Sequence, residues 1–335
     1  IADNSAKIGT FGHGFTTSGH PLAMAVAILG AAGLQLAGLI DAGKSIYTAP
    51  NLMWLSLLVG GACFGFGMVL ASGCGSKTLI RIGTGNLKSL VVLIVAAISA
   101  YVTLKGVFGV FRVWALDPTV IVFPVAQDLP SLVAHAMGAG RPNTLVVVAA
   151  LVAGGLLAFT FKDRDFWTFE FILGGAVTGL VIVAGWYITG HVGFLPEDPN
   201  TLEEKFYATN TGRMESLSFV APQAYLLELL MFWSDTSRVV TFGIAAALGT
   251  ICGSLGWALW SKSFRLESFR SPEDMLNHLA GAVLMGFGGI LGLGCTIGQG
   301  LSGISTLALG SFLSFGAIVV GAVAALKYQV WRLDA

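Results

Sequence analysis

Eight stretches of this chain are apolar and of the length that crosses a bilayer: residues 21–40, 51–72, 89–110, 143–161, 169–190, 239–260, 279–294 and 307–326. A spanning helix needs roughly 20 such residues. In lipid every backbone N–H and C=O must be satisfied within the chain, which leaves a helix or a closed barrel. Runs of this length, unbroken by polar alternation, fit only the helix. Composition agrees, with 55% apolar and 11% charged residues and a mean hydropathy of +0.80, where a soluble domain carries roughly 25% charged residues. Forty-five glycines lie through these runs, and small residues let helix backbones approach closely in membranes. The chain reads as all-α, a polytopic membrane helical bundle forming one integral-membrane domain over 1–335. A net charge of zero with scattered basic residues gives no nucleic-acid footprint.

Two of the runs, 279–294 and the glycine-rich end of 51–72, are short or interrupted, and these two carry a duplication. Gly60–Cys74 reads GGACFGFGMVLASGC and Gly281–Cys295 reads GAVLMGFGGILGLGC, 221 positions apart. Seven of the fifteen positions are identical: Gly60/Gly281, Gly65/Gly286, Phe66/Phe287, Gly67/Gly288, Leu70/Leu291, Gly73/Gly294 and Cys74/Cys295. Glycines alone would be a weak match; the paired cysteines make it an internal repeat, with pseudo-repeats over 21–161 and 169–326.

Orientation follows from lysine and arginine. Leu217–Trp233 holds Pro222 and Glu228 in 17 residues, too few to cross comfortably, and is expected to be re-entrant or interfacial. The N-terminus, the loop after Cys74, 162–168, 262–278 and the C-terminus then share one side and carry 11 of the 18 basic residues, which makes that side cytoplasmic. A full crossing by Leu217–Trp233 reverses the tally. On the preferred count five crossings separate the two cysteine motifs, so they point in opposite directions and form an inverted repeat. Trp54, Trp114, Trp167, Trp186, Trp257, Trp260 and Trp331 fall near run ends and are expected in the interfacial belts. The polar opening lacks the pattern of a signal peptide, so the first apolar run is expected to serve as signal and first helix.

Inverted repeats place a substrate site at the midplane, where broken helices expose backbone to a cavity. Gly73-Cys74-Gly75-Ser76 and Gly294-Cys295-Thr296-Ile297-Gly298 are the expected breaks, since glycine accepts backbone conformations that other residues resist. New helices beginning near Ser76 and Thr296 would aim free N–H groups and the positive dipole end at the cysteines, which makes an anion site with a thiol at its centre. The dipole lowers a thiol's pKa and burial raises it; the sequence leaves that balance open. Lys77 and Arg81, four residues apart on one helix face, are candidates for electrostatic steering or plain cytoplasmic anchors. The second motif supplies Thr296, Gln299 and Ser302, neutral where the first is basic.

At these residues the chain resembles the YeeE/YedE sulfur-transport family of bacterial inner-membrane proteins. The resemblance is carried by GFGMVLASGCGSKTLIRIGTGNLKSL (Gly65–Leu90) and GFGGILGLGCTIGQGLSG (Gly286–Gly303). It implies transport of a small sulfur-containing anion, most directly thiosulfate, through a multi-pass protein whose central cysteines match Cys74 and Cys295, and often a small cytoplasmic sulfur-carrier protein as acceptor. Characterised members also have a cysteine near the outer opening, whereas residues 1–60 here contain none. The chemistry is consistent: thiosulfate has a soft terminal sulfur, and a neutral thiol, a weak donor and weak acceptor, meets it without the grip that would stop permeation.

Other readings stand beside this one. One cysteine from each half also suits a membrane thiol–disulfide oxidoreductase, although neither has the adjacent proline usual in redox helices. Both could be inert packing residues. Cys63 lies near three turns before Cys74 and is a candidate relay thiol; Cys252 is expected to pack. His13 and His20, seven apart in a glycine-rich start, have no fixed geometry, and His135, His191 and His278 are expected near interfaces. There is no metal-ligand spacing, and neither a cofactor nor an enzymatic activity is expected. His191–Arg213 is the one sizeable polar connector, placed outside. In the cytoplasmic loop, Ser271-Pro272-Glu273-Asp274 is a strong helix start.

Overall fold

A computed structural model describes residues 19–162, 168–198, 202–269 and 271–334; His13 and Trp167, named above, lie outside the described residues, as do Lys7, Arg164 and Arg270 of the charge count. Among those described, the helices in chain order are α1 (His20–Leu36), α2 (Trp54–Leu70), α3 (Gly75–Gly83), α4 (Leu87–Lys105), α5 (Val107–Phe111) and α6 (Leu129–Met137). They continue with α7 (Arg141–Lys162), α8 (Phe169–Tyr187), α9 (Ala221–Met231), α10 (Phe242–Trp260), α11 (Pro272–Leu291) and α12 (Leu309–Asp334). Seven helices are long and apolar enough to cross a membrane, and the protein is a multi-pass helical bundle.

The eight expected runs are corrected in three places. The first, 21–40, yields a helix of only 17 residues, because Gly38 adopts φ +70° and the chain leaves the helix there. The run 89–110 breaks at Gly106, between α4 and α5. The run 279–294 is not short: α11 begins at Pro272, where the Ser271 side chain accepts the Asp274 N–H and Glu273 and Asp274 occupy the first turn, as helix N-termini favour.

The chain divides into two compact units, each drawn from both halves of the sequence. The first comprises residues 1–51, 122–216 and 300–311. Here α1 packs on α8 through glycine: a Cβ at Gly179 would lie 2.8 Å from the Ala23 carbonyl oxygen, and one at Gly175 2.9 Å from that of Gly19. Trp186 is fully buried in this unit, donating its indole N–H to Ser305 Oγ at 2.8 Å with its ring edge-on to Tyr47. It is therefore a core residue and not part of an interfacial belt; the nearby hydroxyl removes the reason for its nitrogen to seek water. Trp114, Trp257, Trp260 and Trp331 are exposed. The connector 191–213 carries a two-residue hairpin, Phe194–Leu195 against Lys205–Phe206, tied down by Lys205 to the buried Asp198 at 2.7 Å.

The second unit comprises residues 52–121, 217–299 and 312–335. Its centre is the contact of the two motif helices, α2 and α11, which run antiparallel. A Cβ on Gly60 would meet the Gly292 nitrogen at 2.3 Å, and one on Gly67 the Gly281 carbonyl at 2.6 Å, so the register falls along one helix as it rises along the other. Gly65 lies against α12 in the same way, 2.0 Å from the Ile318 carbonyl, and Gly286 against α4, 2.4 Å from that of Ala96. The three glycine pairs shared within the motif helices, Gly60/Gly281, Gly65/Gly286 and Gly67/Gly288, are thus sites where backbones touch. Van der Waals contact of this kind holds helices together where lipid removes the hydrophobic drive.

Candidate functional site

Both motif helices end in the same way. After α2, the Ser72 N–H donates to the Val69 carbonyl and the Gly73 N–H to the Met68 carbonyl; after α11, Leu293 donates to Ile290 and Gly294 to Gly289. Ser72 and Leu293 take left-handed conformations at φ +59° and +55°. This is a Schellman termination, normally built on glycine, here imposed on two residues with side chains at equivalent points of the repeat. A left-handed residue other than glycine costs about 1–2 kcal/mol, and such strain gathers at functional sites. A side chain from beyond each break closes it: Arg81 Nη1 donates to the Ser72 carbonyl at 2.9 Å, and Gln299 Nε2 donates to that of Gly292. The basic and neutral versions of the motif therefore do the same capping work.

Helical structure restarts at once. Cys74 is the N-cap of α3 and makes no side-chain cap hydrogen bond, so the opening N–H groups of that helix lack this partner. The Cys74 sulfur lies 3.1 Å from Ser76 Oγ. Past the second break, helix resumes at Thr296, and the Gly298 N–H points at the Cys295 sulfur at 3.4 Å, joined by the N–H groups of Ile297 and Phe219. Cys295 is fully buried in a cluster against which Cys74 also packs, and the two thiols are within electrostatic reach of each other. Both are free.

A third element, which sequence reasoning missed, joins them. The segment Phe219–Gln223, at the start of α9, meets both breaks: Phe219 N–H at the Cys295 sulfur, and Phe219 and Gln223 beside Gly75, where a Cβ would lie 3.4 Å from the Phe219 carbonyl and 3.6 Å from Gln223 Nε2. From there α9 runs 11 residues, about 16 Å, to Met231, and carries Glu228, which is buried and paired with Lys105 at 2.6 Å and Arg238 at 3.0 Å. Since Lys105 ends α4, the Glu228 end of α9 lies at that end of α4, while Gln223 at the start of α9 lines a cavity with Val92, Leu93 and Ala96 of the same helix. The available signal was Pro222 at a helix start followed by a glutamine inside an apolar stretch.

At the opposite end a polar cleft of about 470 Å³ opens beneath the first break, lined by Ser72, Arg81, Lys88, Arg265, Asp274 and His278 among others. It gathers the loop after Cys74 with 262–278, and Arg332 of α12 bonds Glu273 of α11 nearby at 2.5 Å, so three segments that the charge count put on one side do lie together. Lys88 is held by Asp274 at 2.7 Å. Arg81 borders the cleft, while Lys77 is exposed with its stem over Gly73. Of the remaining candidates, Cys63 is half-buried on α2 with its backbone against Gly288. Cys252 is exposed and does not pack inside the described residues. His278 is buried, its Nδ1 at 2.7 Å from the Asp274 carbonyl, and His191 stacks on Tyr187.

A multi-pass bundle whose motif helices each break at a cysteine, one half-buried and one fully buried, with the Gly298 N–H directed at the buried sulfur, has the architecture of a membrane transporter for a small anion. Comparison with known proteins agrees: residues 6–324 match the family described as sulphur transport, and the chain belongs to that family. It is similar to the thiosulfate transporter TsuA of Escherichia coli (strain K12), 26% identical over 301 residues that cover 83% of this chain and 76% of that protein. It is also similar to the thiosulfate transporter TsuA of Spirochaeta thermophila, 29% identical over 273 residues covering 79% of this chain and 74% of the relative.

Proposed function

We propose that this protein carries a small sulfur-containing anion, thiosulfate first, across the bacterial inner membrane, and that the anion passes Cys74 and Cys295. The observation that carries this reading is the setting of the Cys295 sulfur. It is fully buried, with backbone N–H groups from the following turn and from Phe219 aimed at it. That pocket of positive potential suits a soft anion in place of, or beside, the thiol. A charge in the bilayer core is expensive unless met, and helix N-termini meet it without a lysine's grip. Gly73, Gly75 and Gly294 keep the backbone open at the breaks, and Ser76, Thr296 and Gln299 supply neutral polar contacts along the path. Lys77 and Arg81 draw the anion at the polar cleft, Cys63 extends the thiol path along α2, and the antiparallel motif helices are the cores of an inverted repeat. The cleft is where a cytoplasmic sulfur-carrier protein would receive the ion. The sulphur-transport family and the transporter relatives favour transport over disulfide exchange and catalysis.

The test is growth of a sulfur-auxotrophic bacterium on thiosulfate as sole sulfur source, with and without this gene, together with uptake by Cys74→Ala and Cys295→Ala. Growth should depend on the gene, and each variant should fall to background uptake at wild-type abundance in the membrane. Normal uptake by either variant removes the thiol path.

A further inference from the structure

Among the described residues of the second unit, Gln223 is a buried polar side chain that the chain leaves without a partner for its N–H. It is only 5% exposed, and its Nε2 has no hydrogen-bond partner among the described residues. Such a group costs free energy unless it has a function. Its neighbours make the position more pointed. Gln223 lines a narrow cavity with Phe64, Gly75, Thr78, Val220 and Met285, so the amide is the free donor in a mostly apolar wall; the Thr78 hydroxyl is committed to the Cys74 carbonyl at 3.0 Å. Nε2 points toward Gly75, the residue after Cys74, 3.6 Å from where a Cβ would stand. Gln223 also sits in the first turn of α9, whose N-terminus has no side-chain cap, and that turn follows directly from Phe219, whose N–H faces the Cys295 sulfur. An unpartnered N–H and the first turn of α9 thus lie beside Gly75, the residue after Cys74, and next to Phe219, which shares a packed cluster with Cys295.

We infer that Gln223 is the oxyanion donor of this site and sets its preference among sulfur anions. Thiosulfate has two chemically different ends, a soft terminal sulfur and three hard sulfonyl oxygens. Thiols match the first; an amide N–H matches the second, and a hydrogen bond from a neutral donor to an anion is about twice as strong as one between neutral groups. With Gln223 holding an oxygen while Cys74 or Cys295 meets the terminal sulfur, the site distinguishes thiosulfate from anions that offer only one end: hydrosulfide, which has no oxygen, and sulfate, which has no soft sulfur. A methyl group at position 75 would stand in ordinary contact with the amide, 3.6 Å from Nε2, and larger side chains would crowd the space beside Cys74. This inference rests on the transport reading above and deepens it.

The experiment is uptake of radiosulfur-labelled thiosulfate by membrane vesicles carrying the full chain, with hydrosulfide as competitor. Gln223→Met keeps the volume and removes the donor. It should raise the KM for thiosulfate about tenfold or more, the range for losing a hydrogen bond to a charged group, while leaving inhibition by hydrosulfide within about twofold of wild type, as expected for a ligand that meets only the thiols. An unchanged KM overturns the assignment. So does a parallel rise in both constants, which would mean that the substitution merely damages the site. If the Met variant does not accumulate, Gln223→Leu carries the test: it also removes the donor at similar volume, so wild-type KM in that variant overturns the proposal equally. Cys74→Ala is assayed alongside. Normal kinetics in Cys74→Ala defeat the thiol path itself, whereas an inactive Cys74→Ala beside an unaffected Gln223→Met defeats only the role of Gln223.

Discussion

Replacing Gly288 with alanine sets two opposed effects against each other at the crossing of the motif helices. Within a helix the change should stabilise by about 1 kcal/mol, since glycine is the poorer helix former by that amount. At this position the new methyl would stand 2.4 Å from the Phe64 nitrogen and 2.6 Å from the Gly60 carbonyl oxygen. Both are backbone atoms inside a helix, so no side chain can swing away. Restoring ordinary contact near 3.5 Å requires α2 and α11 to part by roughly 1 Å. Overpacking of this kind costs typically about 1–3 kcal/mol, and more where nothing can yield, so the clash should win. The displacement also reaches the site, because Gly292 on the same helix supplies the carbonyl that Gln299 and Ser314 hold, three residues before Cys295. Gly253→Ala in α10 is the control: nothing lies within 4 Å of its new methyl, so only the propensity gain remains. Thermal unfolding in detergent should place Gly288→Ala below wild type and Gly253→Ala at or above it, and uptake should fall in the first only. If Gly288→Ala melts with the control, the glycine register is not what holds the two motif helices together.

Two further outcomes follow from charge. Burial pushes the Glu215 carboxyl up to about 7 from 4.5, with Thr211 partly opposing. The folded protein therefore keeps a proton that the unfolded chain releases above pH 4.5, so stability declines as pH rises from about 4.5 to 7 and is lowest above that, by at most about 3 kcal/mol. Glu215→Gln should raise the melting temperature at pH 8 and leave it unchanged at pH 4; an equal gain at both would mean that packing, not ionisation, is at work. Changing Lys77 and Arg81 together to Gln should slow uptake more at low than at high ionic strength, because exposed charges are screened within roughly 8–10 Å in salt. A salt-independent loss would trace to the Arg81 bond on the Ser72 carbonyl, and no loss would make both residues anchors.

The sequence by itself determined that this is a membrane helical bundle, because lipid leaves the backbone of a long apolar run no alternative. It also determined where the repeat lies, since glycines and cysteines at fixed spacing are a local record, and it marked the start of α11 through the Ser271 cap, although the apolar window hid that helix's first turn. The charge count grouped the loop after Cys74, 262–278 and the C-terminal helix, as the shared cleft and the Arg332–Glu273 pair bear out. Other features were decided only by tertiary structure. Trp186 sits near the end of its run like the other tryptophans, and only the Ser305 hydroxyl, 119 residues away, makes it a core residue. The antiparallel register of Gly60 on Gly292 and Gly67 on Gly281 is a relation between helices that neither motif states alone. Phe219 and Gln223, which lie beside Gly75 at the first break, come from a segment remote from it in sequence, and a glutamine in an apolar stretch looks the same whether it faces solvent, a neighbouring helix or a ligand. Periodicity and composition report what a residue prefers; which atoms meet it is set by the packing of elements far apart in the chain.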